Sequence, residues 1–179
     1  LNILLQEKLN PKSKRKKELK SREILFREGD KVMQIKNNYN LEWTRDGDGK
    51  CLCDNTKESG IGVFNGDIGI IVDIDESNES VSVRFDDKIV VYDMSQLDEL
   101  EHAYAVTVHK SQGSEYPIVV IPMYRCATML MTRHLLYTAV TRAEKTLILV
   151  GREDVVRTMV DCEREDYKYT GLATFLREM

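Results

Sequence analysis

The chain has 179 residues, of which 42% are hydrophobic and 31% are charged, and its formal net charge is −4. This length allows one domain or two small ones with a buried core, and the mild acidity argues against general coating of nucleic acid by a basic surface while leaving a local basic groove open. No apolar run is long enough to span a bilayer, and no signal-peptide pattern opens the chain. We therefore expect a cytoplasmic protein with no membrane partner. Because the first residue is Leu1 and not methionine, we also expect a piece of a longer protein.

The four cysteines lack the paired spacing of a zinc site, and only three histidines are present to complete one. We predict no metal site and expect free thiols in a reducing compartment. The cysteines are Cys51, Cys53, Cys126 and Cys162.

At the N-terminus, Leu1–Leu9 has the apolar spacing of a short amphipathic helix, which Pro11 ends. The basic run at residues 12–22 then predicts a solvated loop, with contact to a nucleic-acid backbone as the alternative.

From Phe26 to Leu97 the pattern changes to short alternating segments punctuated by glycines, which predicts a small β-barrel or sandwich. The predicted strands are Lys31–Lys36, Ile68–Ile74, Val81–Phe85 and Ile89–Tyr92, with a tight turn at Asp86–Lys88.

The segment Glu42–Gly60 contains RDGDGKCLCDNTKESG, which invites two ligand-binding motifs and satisfies neither. Lys50 stands where a calcium loop needs an oxygen ligand, and Cys51 follows Gly49-Lys50 where a P-loop needs a hydroxyl. We predict a polar hairpin that extends from the barrel.

After Leu100 the pattern indicates α/β structure. We predict three buried strands in an incomplete parallel sheet, interleaved with helices. The strands are Ala103–Val108, Ile118–Pro122 and Thr146–Val150; the helical segments are 127–141, Asp154–Val160 and Gly171–Met179.

Between the first two of these strands lies the polar loop His109–Tyr116, which contains a glycine, two hydroxyls, an amide, a cation and an anion. Loops of this composition between buried strands carry ligand-binding groups in α/β proteins. The residues alone leave an ordinary strand-to-strand turn equally open.

Two long stretches carry a family resemblance. TVHKSQGSEYPIVVIP (Thr107–Pro122) resembles motif V of superfamily 1 helicases, and LLYTAVTRAEKTLILVG (Leu135–Gly151) resembles their motif VI. The RecD-like branch, also called exodeoxyribonuclease V alpha chain or RecD/TraA type, is similar at Leu1–Pro11, Gly29–Glu42 and Val63–Gly69 as well.

The resemblance implies an α/β fold: a partial RecA-like parallel-sheet motor domain, called 2A, with an inserted all-β Src-homology-three-like barrel, called 2B. On this expectation residues 1–25 belong to 2A, residues 26–99 form 2B with an extra hairpin at 42–60, and residues 100–179 are the C-terminal part of 2A with motifs V and VI.

The resemblance also implies an ATP-dependent DNA helicase that moves 5′ to 3′ on single-stranded DNA. No G-x-x-x-x-G-K-[ST] occurs, so we expect ATP and Mg²⁺ to be bound mainly by an N-terminal motor domain of the same chain, and this segment to be inactive alone. Nuclease or repair proteins are expected as further partners. The alternatives are the helicase part of a conjugative relaxase-helicase of the TraA type, and a DNA-binding module that has lost ATPase activity.

The implied nucleotide-binding residues are Gln112, Gly113, Glu115 and Arg142. Arg142 is the expected catalytic residue, because its planar cation can donate to two phosphate oxygens. Its alternative is a surface arginine paired with Glu144 or with a helix end.

The implied DNA-binding residues are Thr107, His109, Lys110, Ser111 and Tyr39. Hydroxyls, imidazole and backbone N–H groups hold phosphates without selecting sequence. A structural histidine at 109 and a solvated Lys110 are the alternatives. For Tyr39 the safer interpretation is a turn with a buried tyrosine, and Tyr137 is predicted to lie in the core.

Overall fold

The computed structural model describes residues 1–45, 58–162 and 176, and the chain divides into two compact units, Leu1–Thr107 and Val108–Met179. None of the helices within these ranges is long and apolar enough to cross a membrane. The elements of the first unit are α1 Asn2–Leu9, β1 Glu18–Ser21, β2 Ile24–Arg27, β3 Lys31–Gln34, β4 Asn38–Arg45, β5 Ser59–Val63, β6 Ile68–Asp75, β7 Ser80–Phe85, β8 Lys88–Tyr92 and β9 Leu100–His102. Those of the second are β10 Tyr116–Met123, α2 Arg133–Val140, β11 Ala143–Gly151 and α3 Glu153–Asp161.

The first unit is built on a seven-stranded antiparallel sheet in the order β5-β4-β8-β7-β6-β3-β9. Alternation along the strands explains its two faces: Val81, Val83 and Phe85 are buried, while Arg84 between them is exposed. The predicted tight turn between β7 and β8 is confirmed, since Phe85 pairs with Lys88 across two residues. The predicted small all-β body is therefore confirmed.

One hydrophobic core fills this unit, and it draws on the hairpin β1–β2 as well as on the sheet. Its buried members are Phe26, Val32, Leu41, Val63, Ile71, Ile74, Val81, Val83, Phe85, Val90, Tyr92, Leu97 and Leu100. The buried Tyr92 hydroxyl donates to the Gln34 side-chain oxygen at 2.9 Å, so this polar pair is satisfied inside the apolar interior.

The prediction of a loop for the whole basic run 12–22 was wrong, because its second half forms β1. Glu18–Ser21 pairs with Ile24–Arg27, and Leu19 packs against the core. Arg27 donates to Glu18 at 2.7 Å from a nearly buried position. The strand forms because it has an apolar side chain to bury and a carboxylate partner for a buried cation, features that net charge does not reveal.

Helix α1 is confirmed, but its apolar side chains are not the ones that it buries. Gln6 is its buried residue, and Asn10 is buried just beyond its end, whereas the apolar side chains of Leu1, Leu4 and Leu9 are exposed. The buried amides recur at the four-residue helical spacing and find hydrogen-bond partners far away in the sequence.

The predicted strand Ala103–Val108 does not form; β9 ends at His102, and bends and turns follow. The backbone hydrogen-bonding groups here are taken by α1. Asn2 Nδ2 donates to the carbonyls of His102 and Ala105 at 2.8 and 3.0 Å, and Ala105 N–H donates to Asn2 Oδ1 at 2.7 Å. A side chain thus takes the place of a neighbouring strand.

In the second unit, β10 and β11 form a two-stranded parallel sheet, with Ile118 paired to Thr146 and Met123 to Gly151. Both strands were predicted, whereas the third predicted strand of this sheet, Ala103–Val108, does not form. Met123 packs with residues of α2 and α3 in a small core of Met123, Leu136, Val155 and Met159. The predicted burial of both strands was wrong for this chain, where Ile118, Val120 and Ile148 are exposed.

The predicted hairpin at 42–60 has its stem in the described structure. Thr44 pairs with Ser59, and Arg45 N–H donates to the Glu58 carbonyl at 2.8 Å. The Arg45 guanidinium also pairs with Glu58 and with Asp87. Residues 46–57, with Cys51 and Cys53, lie outside the described residues, as does the helix predicted at 171–179 apart from Leu176.

Candidate functional site

Helix α2 positions the candidate arginine. The helix begins where the Thr132 hydroxyl accepts a hydrogen bond from Leu135 N–H at 3.2 Å, and Leu136 and Ala139 form its buried face. Tyr137 is 66% exposed, so the prediction that it lies in the core was wrong. Its position on the opposite side from the buried face follows from the helical period.

Arg142 follows the C-cap of this helix and is half-buried. Its Nε donates to the Thr138 carbonyl at 3.2 Å, its Nη1 to the Ser114 carbonyl at 3.1 Å, and its Nη2 to the Thr141 hydroxyl at 3.3 Å. The guanidinium therefore holds the last turn of α2 and the loop before β10 together. The helix-end alternative for this arginine is found in the structure, and it places the side chain in a fixed orientation.

The three hydrogen-bond partners of Arg142 among the described residues are neutral oxygens. In the part of the chain that the structure describes, no carboxylate forms an ion pair with it, so the alternative pairing with Glu144 does not form. A half-buried guanidinium whose described acceptors are neutral retains N–H groups for an anion. Arg142 therefore has the electrostatic character that a phosphate-binding residue requires.

The loop at residues 108–115 is a succession of tight turns. Ser111 is buried and donates its hydroxyl to the Val108 carbonyl at 2.8 Å, and Ser114 N–H donates to the Ser111 carbonyl at 3.1 Å. Gly113 has a φ of +84°, and a Cβ placed on it would meet no atom within 4 Å. The glycine thus provides a left-handed turn whose outer side is open, where a ligand can approach the backbone.

The parallel pairing of β10 and β11 brings this loop to Arg142. Tyr116 N–H donates to the Arg142 carbonyl at 2.9 Å, and Tyr116 and Ala143 are partners at the start of the two strands. The two sequence stretches that carry the family resemblance are therefore joined by backbone and side-chain hydrogen bonds. Ser114 was missed by sequence reasoning, because it acts through its backbone carbonyl and leaves no signal in the side-chain pattern.

The remaining predicted site residues lie in the loop at 108–115, at the end of the first unit and in β4. His109, Gln112 and Glu115 are exposed on the same loop, and Lys110 is half-buried. Glu115 makes no hydrogen bond to Arg142 among the described residues, so the suggested orienting role of its carboxylate is not observed.

Thr107 is exposed at the end of the first unit, and both Thr107 and Lys110 already take part in interactions. Tyr39 lies in β4 of the first unit and is 63% exposed, so the interpretation as a turn with a buried tyrosine was wrong.

Within the described residues no group of three or more His, Cys, Asp or Glu side chains is arranged to hold a metal ion. Of the cysteines described, Cys126 and Cys162 are free thiols.

Comparison with known proteins gives two family matches that follow one another along the chain. Residues 1–85 match the ATP-dependent RecD-like DNA helicase SH3 domain, and residues 102–150 match the UvrD-like helicase C-terminal domain. The first covers α1 and most of the antiparallel sheet, and the second covers the loop at 108–115 and Arg142.

Full-length relatives agree with these matches. The RecBCD enzyme subunit RecD of Mycolicibacterium smegmatis is 33% identical over 129 residues, which are 72% of this chain and 22% of that protein. The ATP-dependent RecD2 DNA helicase of Deinococcus radiodurans is 30% identical over 139 residues, which are 78% of this chain and 16% of that protein. The chain thus spans about a fifth of the length of these relatives.

A solved structure from work on DNA unwinding at forked duplex DNA by Pif1 helicases is similar in fold. The match covers 90% of this chain and 36% of the chain in that structure. Its TM-score is 0.51 at 18% sequence identity, a likeness of fold. The mixed architecture fits a helicase 2A-like domain with an inserted Src-homology-three-like domain, which defines a segment of a superfamily 1 helicase. The chain belongs to the RecD-like DNA helicases.

Proposed function

We propose that this chain is the part of an ATP-dependent DNA helicase that supplies the arginine finger and motif V contacts to a motor moving 5′ to 3′ on single-stranded DNA. ATP and Mg²⁺ are held mainly by an N-terminal motor domain of the same protein, and the segment alone does not hydrolyse ATP. The protein acts in the cytoplasm, with nuclease or repair proteins as further partners.

The observation that carries this proposal is the position of Arg142. Its guanidinium is fixed by three neutral oxygens and has no carboxylate partner among the described residues. A cation held this way is available to stabilise the charge that develops on the transferring phosphoryl group.

The loop at 108–115 would carry the rest of the site. Gly113 lets its backbone approach the nucleotide, Gln112 and Glu115 lie exposed beside it, and His109 and Lys110 face DNA phosphates. Because Arg142 donates to the Ser114 carbonyl, a shift of the arginine toward the γ-phosphate would pull on this loop. This link couples ATP hydrolysis to movement on DNA.

ATP hydrolysis stimulated by single-stranded DNA tests the proposal, measured on the full-length protein with Arg142→Ala beside wild type. We expect a loss of roughly a thousandfold in kcat with nucleotide binding largely kept. Arg157→Ala is the matched control, since Arg157 is an exposed arginine of the same unit paired with Glu153. Hydrolysis by Arg142→Ala at the wild-type rate, or no hydrolysis by wild type, would refute the proposal.

The relaxase-helicase alternative stays a prediction. It requires a nicking domain elsewhere in the full-length protein, with a metal-binding histidine cluster and a catalytic tyrosine.

A further inference from the structure

The outer face of the antiparallel sheet carries exposed aliphatic side chains on β6 and β8. They come from positions next to the buried core residues of the same strands. Ile70 is 46% exposed, Val72 is 37% exposed and Val91 is 55% exposed, and Ile89 is half-buried beside them. These four side chains form the aliphatic patch. Single exposed aliphatic residues are ordinary on a protein surface, whereas several on one face of a sheet indicate a contact surface.

Arg84 lies in the middle of the aliphatic patch. The strand register places it directly opposite Ile70 of β6 on one side and opposite Ile89 of β8 on the other. Residues directly opposite in an antiparallel pair have their Cβ atoms about 5 Å apart, so both aliphatic side chains flank the stem of the arginine. Val91 follows Ile89 by two residues and lies on the same face. The arginine is therefore surrounded by apolar surface.

The guanidinium of Arg84 is available to a partner. The side chain is exposed, and it forms no hydrogen bond or ion pair within the part of the chain that the structure describes. Lys31, opposite Ile70 on β3, is a second exposed cation, and its side chain likewise has no ion pair among the described residues. Across four neighbouring strands the outer face thus alternates cation, aliphatic, cation and aliphatic.

We propose that Arg84 and the aliphatic patch are a docking surface for an acidic, aliphatic segment of a partner protein. An arginine enclosed by apolar side chains has the arrangement of an interface hot spot, because the apolar ring excludes water from the ion pair at its centre. A carboxylate of the partner pairs with Arg84, and aliphatic side chains of the partner cover the ring. The inference goes beyond the proposed function, since none of these residues belongs to the proposed nucleotide and DNA contacts.

A nucleic acid suits this surface less well than an acidic protein segment does. Aliphatic side chains offer no π-face on which a base can stack. Thr44 of β4 pairs with Ile89, and the exposed Glu42 lies two residues from Thr44 on the same face. Its carboxylate borders the patch and repels phosphates, which are spread along the whole of a nucleic-acid strand. A short peptide can instead place its carboxylates beside Arg84 and its apolar residues elsewhere.

Methyl NMR of the chain with a defined peptide tests the proposal. The probe is acetyl-Ser-Leu-Asp-Asp-Leu-Asp-Leu-Ser-amide, and its matched counterpart has asparagine in place of each aspartate. We expect the aspartate peptide to shift the methyl signals of Ile70, Ile89 and Val91. The asparagine peptide should bind at least about fivefold more weakly, because it offers Arg84 no charged acceptor.

Charge reversal gives a readout that a folding defect cannot imitate. Arg84→Glu should lose the aspartate peptide and prefer a third peptide with lysine in place of each aspartate. Ile70→Ser and Val91→Ser should each weaken binding of the aspartate peptide at least about threefold, since each removes apolar contact area. Two matched controls should bind like wild type: Lys20→Glu, at an exposed cation of the hairpin β1–β2, and Ile3→Ser, at an aliphatic residue of α1 that is 67% exposed.

The proposal has three contrary outcomes. Absence of methyl shifts at the patch with millimolar peptide, or equal binding of the aspartate and asparagine peptides, overturns an acidic partner. Displacement of the peptide by dT20, in a manner that Arg84→Glu abolishes, makes the patch a nucleic-acid contact instead. A wild-type dimer that Arg84→Glu dissociates in sedimentation makes a second copy of the chain the occupant. The ATPase measurement with Arg142→Ala judges the helicase separately, so the two proposals can fail independently.

Discussion

Gln6 and Asp30 lie 24 residues apart in the sequence, yet Gln6 Nε2 donates to Asp30 Oδ2 at 2.6 Å in the interior of the first unit. The other Asp30 oxygen accepts from Asn10 Nδ2 at 2.7 Å and from the Tyr104 hydroxyl at 2.9 Å. The carboxylate is fully buried. It joins α1, which precedes the antiparallel sheet in the sequence, to Tyr104, which follows it. Burial and the nearby Asp30 raise the pKa of Tyr104 to about 12, so the phenol keeps its proton and donates at ordinary pH.

The first prediction concerns the contribution of this carboxylate to folding. Asp30→Ala removes the acceptor of several buried donors at once, and each donor left without a partner costs about 1–3 kcal/mol. We expect the free energy of unfolding in urea to fall by at least about 3 kcal/mol. Asp73→Asn is the control, because Asp73 is exposed and pairs with Lys17 at the surface, where such pairs contribute little. Similar losses for both variants would contradict a special role for Asp30.

The second prediction is a pH dependence of stability. Burial alone would raise the pKa of Asp30, but hydrogen bonds from His102, Asn10, Tyr104 and the Arg27 N–H outweigh it and hold the pKa below the usual 3.8. The folded state therefore binds this proton less readily than the unfolded state does. Its stabilising contribution is fully present above the unfolded pKa and is lost as pH falls below 3.8 and through the folded value.

Urea unfolding of wild type and Asp30→Asn between pH 7 and pH 2 measures this contribution. Other carboxylates with lowered pKa values, such as Asp154 at about 2, titrate in both proteins. Their effect cancels in the difference between the two stability curves. We expect that difference to shrink on acidification, and a constant difference would show that Asp30 does not titrate between the two states.

The third prediction concerns Gly151, the last residue of β11. Its φ is +140°, and a Cβ there would lie 2.2 Å from the Met123 carbonyl oxygen of the partner strand. Gly151→Ala must therefore push the two strands apart, and we expect a loss of about 2 kcal/mol or more. Gly113→Ala in the same unit imposes an unfavourable φ with open space around the new Cβ. If thermal unfolding gives equal losses, the close approach at Met123 is not limiting.

The fourth prediction concerns residues 46–57, which belong to the predicted extra hairpin at 42–60. Because Arg45 and Glu58 face one another at the end of the stem, residues 46–57 can be replaced by Asn-Gly, the two-residue turn that suits such a position. We expect the melting temperature to stay close to that of wild type. If the segment contacts duplex DNA or a partner protein, unwinding or partner binding by the full-length protein should fall. Unchanged DNA affinity, unwinding and partner binding would refute that role.

Local patterns predicted the elements whose partners are their neighbours. The alternation of β7 and β8 and the turn between them were found from sequence, because a hairpin is decided by adjacent residues. Helix α2 and the strands β10 and β11 were found from their local apolar spacing, although β10 and β11 pair across the helix between them, and the family resemblance grouped Arg142 with the loop at 108–115.

Where partners are distant, the same patterns misled. The apolar spacing of α1 predicted a helix correctly, but its buried face is made of amides whose partners lie up to 103 residues away. The alternation of Tyr104, Val106 and Val108 predicted a strand, and the Asn2 side chain occupies the backbone groups that a strand would use. A single sequence does not show which distant groups a polar side chain will bond, so neither outcome was accessible at that level.

The double hydrogen bond between Asn2 and Ala105 has a consequence for how this architecture can change. It brings the two ends of a stretch of about a hundred residues together. The pairing of β3 with β9 brings an inner part of the same stretch together as well. A module whose entry and exit coincide can be lengthened, exchanged or lost without displacing the chain on either side. The contacts that join the two ends, more than the rest of the module, are where evolution or an engineer would have to preserve the sequence.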